Sequence, residues 1–174
     1  NVLGPKGLFI LEGVYLLNNI QKGYFDTFYH EHVSTFSLYS LKKLLKIYGL
    51  KIVKAELLNT QGGSFRVYAT HDHNTFKISA YTNNLFEKEL QLKVNKKSYY
   101  KKLKISLEDR IDSLKILINK RLNKIKLKNE KIIGLGAPAR GVVITNVLQI
   151  TKLIDFYIDD SPTKLNKYFP GTNS

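Results

Sequence analysis

Seven apolar residues, Leu103, Leu107, Ile111, Leu114, Ile118, Leu122 and Ile125, recur at spacings of 4, 4, 3, 4, 4 and 3. That is the period of one face of an α-helix, sustained for about six turns. A strand, which alternates with period two, has no use for it. The segment is therefore committed to a long helix with one apolar side, expected to pack on its own domain. The residues from 76 to 102 that lead into it are polar, helix-permissive and strongly basic, and are expected to form a helical connector.

After the long helix the pattern changes. Residues 131–135 are a short apolar run, and Gly136-Ala137-Pro138-Ala139-Arg140-Gly141 is a turn of small residues. Residues 142–148 have helical character, and 153–158 form a second apolar run ending in Asp159-Asp160-Ser161-Pro162. Two strands joined through a helix pair in parallel, so this is a compact βαβ unit. The helix starts at the turn, which aims its free N–H groups and positive dipole end at the crevice beside it. Small residues let a phosphate approach the backbone closely, and Arg140 can add a bidentate contact. The same turn also serves helix–strand packing, and the residues alone leave both roles open.

The first 75 residues have strand and helix signals of their own. Residues 7–12 read as a buried strand with Glu12 at its C-terminal end, and 15–20 as a short helix or loop. Ser37 is placed to cap a helix over 38–48, with Leu41, Leu44, Leu45 and Tyr48 on one face and Gly49 ending it. Residues 50–58 and 64–70 read as strands joined by the tight connection Thr60-Gln61-Gly62-Gly63, which makes an antiparallel pair. The chain is accordingly expected to be α/β. It divides into 1–75, the closing part of a mixed sheet with an antiparallel last strand pair, a connector over 76–102, and an α/β unit over 103–174.

The chemistry concentrates in Tyr29-His30-Glu31-His32, preceded by Asp26-Thr27-Phe28 and followed by Val33-Ser34. A phenol, a carboxylate and two imidazoles stand in four consecutive positions. Imidazole accepts and returns a proton near neutral pH. A neighbouring Glu or Tyr can orient it, or polarise a carbonyl whose α-proton it removes. On residue types alone His30 and His32 are equal candidates for the base.

The remaining composition narrows the class. The 174 residues carry a net charge of +14. The basic residues are mostly Lys and are spread through the helical segments, the pattern of solvated faces rather than of a polyanion groove. There is no Cys, so neither a disulfide nor a thiolate metal site can form within the chain. No apolar run approaches the ~18 residues that span a bilayer, and a cytoplasmic protein is expected. Asn1-Val2-Leu3-Gly4-Pro5 resembles neither a signal peptide nor a translation start, and Phe169-Pro170-Gly171-Thr172-Asn173-Ser174 ends in turn-like residues, which suggests a fragment. Two other classes compete. A metal-dependent hydrolase would use His30 and His32 with a third ligand from His71, Asp72 or His73. A basic nucleic-acid-binding module would use the charge, although no aromatic-plus-basic strand motif accompanies it.

Taken in order, the motifs resemble the S-adenosylmethionine-dependent C-methyltransferases that act on nucleotide-linked deoxyketo-sugars. The matching residues are Glu12-Gly13-Val14-Tyr15, Phe25-Asp26-Thr27-Phe28-Tyr29-His30-Glu31-His32, Gly62-Gly63-Ser64-Phe65-Arg66-Val67-Tyr68, Gly134-Leu135-Gly136-Ala137-Pro138-Ala139-Arg140-Gly141 and Asp159-Asp160-Ser161-Pro162. The resemblance implies an incomplete Rossmann-like methyltransferase sheet, a helical connector and a truncated second Rossmann-like domain. It implies a donor site for S-adenosylmethionine lying mainly upstream, with Glu12 as this chain's contribution, and zinc only in a cysteine-bearing segment outside the chain. The implied reaction removes a proton beside the ketone of a nucleoside-diphosphate 4-keto sugar and methylates the resulting enolate. His32 would be the general base, with Tyr29 and Glu31 orienting base and substrate and His30 in a supporting position. Gly136, Ala137, Arg140 and Gly141 would hold the diphosphate, and Ser64 and Arg66 would face the substrate. Neither nucleic acid nor membrane is expected as a partner, and the fragment alone is expected to be inactive. The chain departs from the family's usual pattern at Gln61, where relatives often have His, and at Val142, where they often have Asn. Both departures leave the sugar and the base open.

Overall fold

The computed structural model describes residues 3–172 apart from the side chain of Gln61, so the departure noted there lies outside the described residues. The chain divides into two compact units. One holds the residues up to Lys22 together with Ser34–Leu103; the other holds Gly23–Val33 and the residues from Lys104 onward.

The first unit is built on a three-stranded sheet of β1 (Phe9–Val14), β2 (Leu50–Leu58) and β3 (Ser64–His71), in the order β1-β3-β2. The expected β2–β3 pair is antiparallel, and β1 is also antiparallel to β3. Among the described residues every strand pair of this sheet is antiparallel. Along β3 the period is two: Phe65, Val67 and Ala69 are buried, while Arg66 and Tyr68 turn outward. In β2 the buried residues Ile52 and Ala55 are three apart, a spacing that puts residues on opposite faces of a regular strand. A bulge between Ile52 and Lys54 restores the match, setting Ile52 opposite Ala69 and Ala55 opposite Val67. β1 begins and ends two residues later than the sequence pattern implied. Its register carries Glu12 opposite Arg66, so pairing continues through Val14.

Three helices accompany this sheet: α1 (Leu16–Lys22), α2 (Leu38–Ile47) and α3 (Ala80–Gln91). Ser37 caps α2 as expected. Its hydroxyl accepts the Ser40 N–H at 3.0 Å, and the Ser40 hydroxyl accepts the Ser37 N–H at 3.0 Å. The buried face of α2 is Leu38, Leu41 and Leu45. Leu44 and Tyr48, expected on that face, are exposed. The buried face instead includes Leu38 of the first turn, where a second contact holds the helix. Glu89, fully buried on α3, accepts the N–H groups of Leu38 (2.8 Å) and Tyr39 (2.7 Å) and the phenol O–H of Tyr15 (2.9 Å). Burial pushes the Glu89 carboxyl above its ordinary range, outweighing these hydrogen bonds, which favour the ionised form. Burial, and then the Glu89 charge, push the Tyr15 phenol well up. The turn into β3 needs glycine: Gly63 has φ +130°, and a Cβ there would stand 2.3 Å from Asn18 Nδ2.

The periodic segment forms α4 (Lys97–Lys126), one helix of 30 residues. It starts earlier than the apolar stripe, so the expected connector consists of α3, a turn and the first turns of α4. Six stripe residues are half-buried and Leu114 is exposed; no residue of α4 is fully buried. No described helix is long and apolar enough to cross a membrane.

In the second unit β4 (Ile133–Leu135) and β5 (Phe156–Ile158) pair in parallel on either side of α5 (Ala139–Val147). This is the expected βαβ connection with shorter strands. α5 begins three residues earlier than the sequence pattern implied, because Pro138 is its N-cap residue and Ala139 and Arg140 already belong to its first turn. Gly134 is required by packing: a Cβ there would lie 2.3 Å from the Tyr157 ring, which stacks on Phe169 at 3.7 Å between centroids. Asn119 of α4 donates to the Leu148 carbonyl at the end of α5, at 2.9 Å.

Candidate active site

The Tyr29-His30-Glu31-His32 block is a turn closed by the His32 N–H on the Tyr29 carbonyl at 2.9 Å. It divides its side chains into two pairs. Tyr29 and His32 are half-buried, with ring centroids 4.2 Å apart. His30 and Glu31 point outward, 84% and 67% exposed, and approach one another at 3.9 Å. The block thus joins His32 to Tyr29, whereas Glu31 stands with His30.

The hydrogen bonds of His32 fix its tautomer. Nδ1 lies 2.8 Å from the Thr27 carbonyl oxygen, which can only accept, so Nδ1 carries the proton. In the neutral ring Nε2 is then an acceptor, and Tyr29 O–H donates to it at 3.1 Å. An imidazole held from behind by a carbonyl, with its lone pair directed at a phenol, has the geometry that a general base requires.

A second polar cluster follows the carboxyl ends of β4 and β5. Arg140, in the first turn of α5, donates through Nε (2.7 Å) and Nη2 (2.5 Å) to one oxygen, Oδ2 of Asp26. Asp26 is largely buried, with its side chain 13% exposed. Arg140 thus reaches the chain six residues before His32. Asp159 accepts the Ala137 N–H at 2.6 Å, the Ser161 N–H at 3.0 Å and Lys164 Nζ at 2.9 Å. These contacts, Lys164 first, hold its carboxyl down to about 2. The Ala137 N–H therefore already serves a carboxylate. Pro138 offers no side-chain acceptor, so no side chain caps the start of α5. Beside this turn lies a cavity of about 530 Å³ lined by Ala137, Ala139, Tyr157, Asp159, Lys164 and Asn166, among others. That volume falls in the range of small-molecule sites.

The remaining candidates lie in the first unit. Arg66 donates through Nε (3.0 Å) and Nη2 (2.7 Å) to Glu12 Oε2 across the β1–β3 pair. Ser64 is buried, with its hydroxyl donating to the Thr60 carbonyl at 3.2 Å. His71 and His73 stack at 5.2 Å, and His71 Nε2 donates to the Leu3 carbonyl at 3.3 Å. Among the described residues no three His, Asp or Glu side chains are grouped to hold a metal ion. The hydrolase reading thus finds no third ligand for His30 and His32.

Sequence reasoning gave no role to Asp26. The available signal was an acidic residue between aromatics, Phe25-Asp26-Thr27-Phe28, where a buried carboxylate needs a cation.

Residues 59–174 match the family model described as the C-methyltransferase C-terminal domain. Over 172 residues the chain is 27% identical to C-methyltransferase NovU of Streptomyces niveus, covering 98% of this chain and 40% of that protein. The chain spans less than half the length of that curated relative.

Proposed function

Because the chain belongs to the C-methyltransferase C-terminal domain family, we propose that it is part of an S-adenosylmethionine-dependent C-methyltransferase. Its substrate is a nucleoside-diphosphate 4-keto-deoxysugar, methylated on the carbon beside the ketone. The observation that carries the reading is His32, whose Nδ1–H is fixed on the Thr27 carbonyl while its Nε2 lone pair meets Tyr29. In fold terms the first unit is the end of a Rossmann-like methyltransferase domain and the βαβ segment part of a second one.

The steps assigned to this chain end at the enolate. When the ketone arrives, the Tyr29 O–H turns from His32 Nε2 to the ketone oxygen. The freed Nε2 takes the proton from the adjacent carbon, and the C–H electron pair becomes the new C=C bond. The oxygen takes up the carbonyl π pair as enolate and is stabilised by the Tyr29 hydrogen bond. The Thr27 carbonyl then faces an imidazolium Nδ1–H, which it holds more strongly. Glu31, exposed beside the base, accepts a sugar hydroxyl. The diphosphate lies at Gly136-Ala137 and the first turn of α5, which includes Gly141, and Arg140 offers Nη1, the nitrogen not engaged by Asp26.

S-adenosylmethionine supplies an electrophilic methyl group. Glu12 is the one residue of this chain assigned to it, and Oε2 of that carboxylate is already engaged by Arg66. A single exposed carboxylate does not by itself make a donor site.

The test is His32→Ala in the longer enzyme, with methyl transfer and donor binding measured separately. Loss of transfer with donor binding retained is expected. Near-normal turnover overturns the assignment.

A further inference from the structure

We propose that Asp26 is a positioning residue of this site, fixing the tautomer and direction of His32 and the plane of Arg140 at once; this rests on the reading of His32 as the base. The carboxylate of Asp26 is largely buried and takes both Arg140 bonds on one oxygen, at 2.7 and 2.5 Å. Thr27, the next residue, is buried and supplies the carbonyl that receives His32 Nδ1–H at 2.8 Å. Arg140 stands in the first turn of α5, 114 residues away in sequence. The chain of contacts therefore runs from a rigid helix start, through an ion pair, to the peptide that determines which imidazole nitrogen carries the proton.

Two consequences follow from the geometry. A carbonyl can hold an imidazole in one tautomer only while its peptide keeps its orientation, and Asp26 anchors that peptide to α5. A guanidinium bound through Nε and Nη2 is fixed in plane, so its remaining nitrogen, Nη1, points in one direction. Asp26 also cancels much of the Arg140 charge. A diphosphate is then held at Nη1 by directed hydrogen bonds more than by net charge, and without Asp26 the arginine binds anions with less discrimination.

The experiment is nitrogen-15 NMR of the His32 ring in the 174-residue chain, compared among the parent, Asp26→Asn and Arg140→Met, with circular dichroism to establish that each is folded. In the parent Nδ1 is protonated and Nε2 is not. Each variant is expected to shift His32 at least tenfold toward the Nε2–H tautomer, and the double variant to shift it no further than either single one. A loop that merely packs would leave that ratio unchanged. If Asp26→Asn does not fold, Arg140→Met, whose side chain is 43% exposed, breaks the same link from the other end. A folded Arg140→Met or Asp26→Asn that keeps the parent tautomer ratio overturns the proposal. This readout involves no methyl transfer, so it can fail while His32 remains the base, and it can succeed if His32→Ala proves active.

Discussion

Replacing Glu89 tests whether one buried carboxylate holds the first unit together. Its Oε1 accepts from Tyr15 O–H and Leu38 N–H, and its Oε2 accepts from Tyr39 N–H. In Glu89→Gln the amide oxygen can keep the two bonds on Oε1. The new NH₂ then faces the Tyr39 N–H, donor against donor; in the flipped amide it faces the Leu38 N–H instead, while the Tyr15 oxygen can accept from it. One donor left unsatisfied costs about 1–3 kcal/mol. Glu89→Ala strips all three. Leu38 and Tyr15 are buried, whereas Tyr39 is half-buried and reaches water more easily. Removing a buried carboxylate returns part of its desolvation cost, so about 3–5 kcal/mol is expected for Ala. Set against a typical domain stability of about 5–15 kcal/mol, that loss brings the unit close to unfolding. The pH dependence has a definite sign. The folded carboxyl is raised above its ordinary value of 4.5, so its contribution is full below that value and falls as pH rises through the folded value. The penalty of Glu89→Gln is therefore larger at pH 4 than at pH 8. Urea denaturation followed by circular dichroism gives the free energies, and amide exchange at Leu38 and Tyr39 locates them. A Gln variant within about 0.5 kcal/mol of the parent at both pH values, with Tyr39 exchange unchanged, would refute the reasoning.

Ser37→Ala removes the reciprocal cap on α2 and is expected to cost about 1 kcal/mol in urea denaturation; a change under about 0.3 kcal/mol would mean Glu89 alone satisfies that terminus. Asp159 is depressed to about 2 from an ordinary 3.8, so its contribution is present above the ordinary value and lost as pH falls toward 2. Asp159→Asn should therefore destabilise the second unit at pH 6 and match the parent near pH 2, measured by thermal melts across that range. A penalty independent of pH would contradict the Lys164 and Ala137 contacts.

What the sequence made legible was local. Ser37 before a helical apolar pattern, the Gly62-Gly63 connection and the stripe of α4 each carry their signal within a few turns, and each element formed. Glu89 was not legible: it sits in a basic, polar stretch, and its function is to cap a helix 51 residues away. That partnership also determines which side of α2 is buried, so Leu44 and Tyr48 were misplaced. The bulge at Ile52–Lys54 was hidden for the same reason, since register belongs to the pair of strands and not to either one. In the site, residue types left His30 and His32 equal, and only the family resemblance singled out His32. The division that puts Glu31 with His30, and the pairing of Asp26 with Arg140, depends on contacts between segments distant in sequence.

His32 is proposed to remove the proton beside the ketone. The most direct measurement is deuterium uptake at that carbon, by NMR in deuterium oxide, with a nucleoside-diphosphate 4-keto sugar and the longer enzyme but no methyl donor. Exchange is expected to depend on the enzyme and to be lost in His32→Ala, with Tyr29→Phe slowing it. Undiminished exchange in His32→Ala would contradict that role.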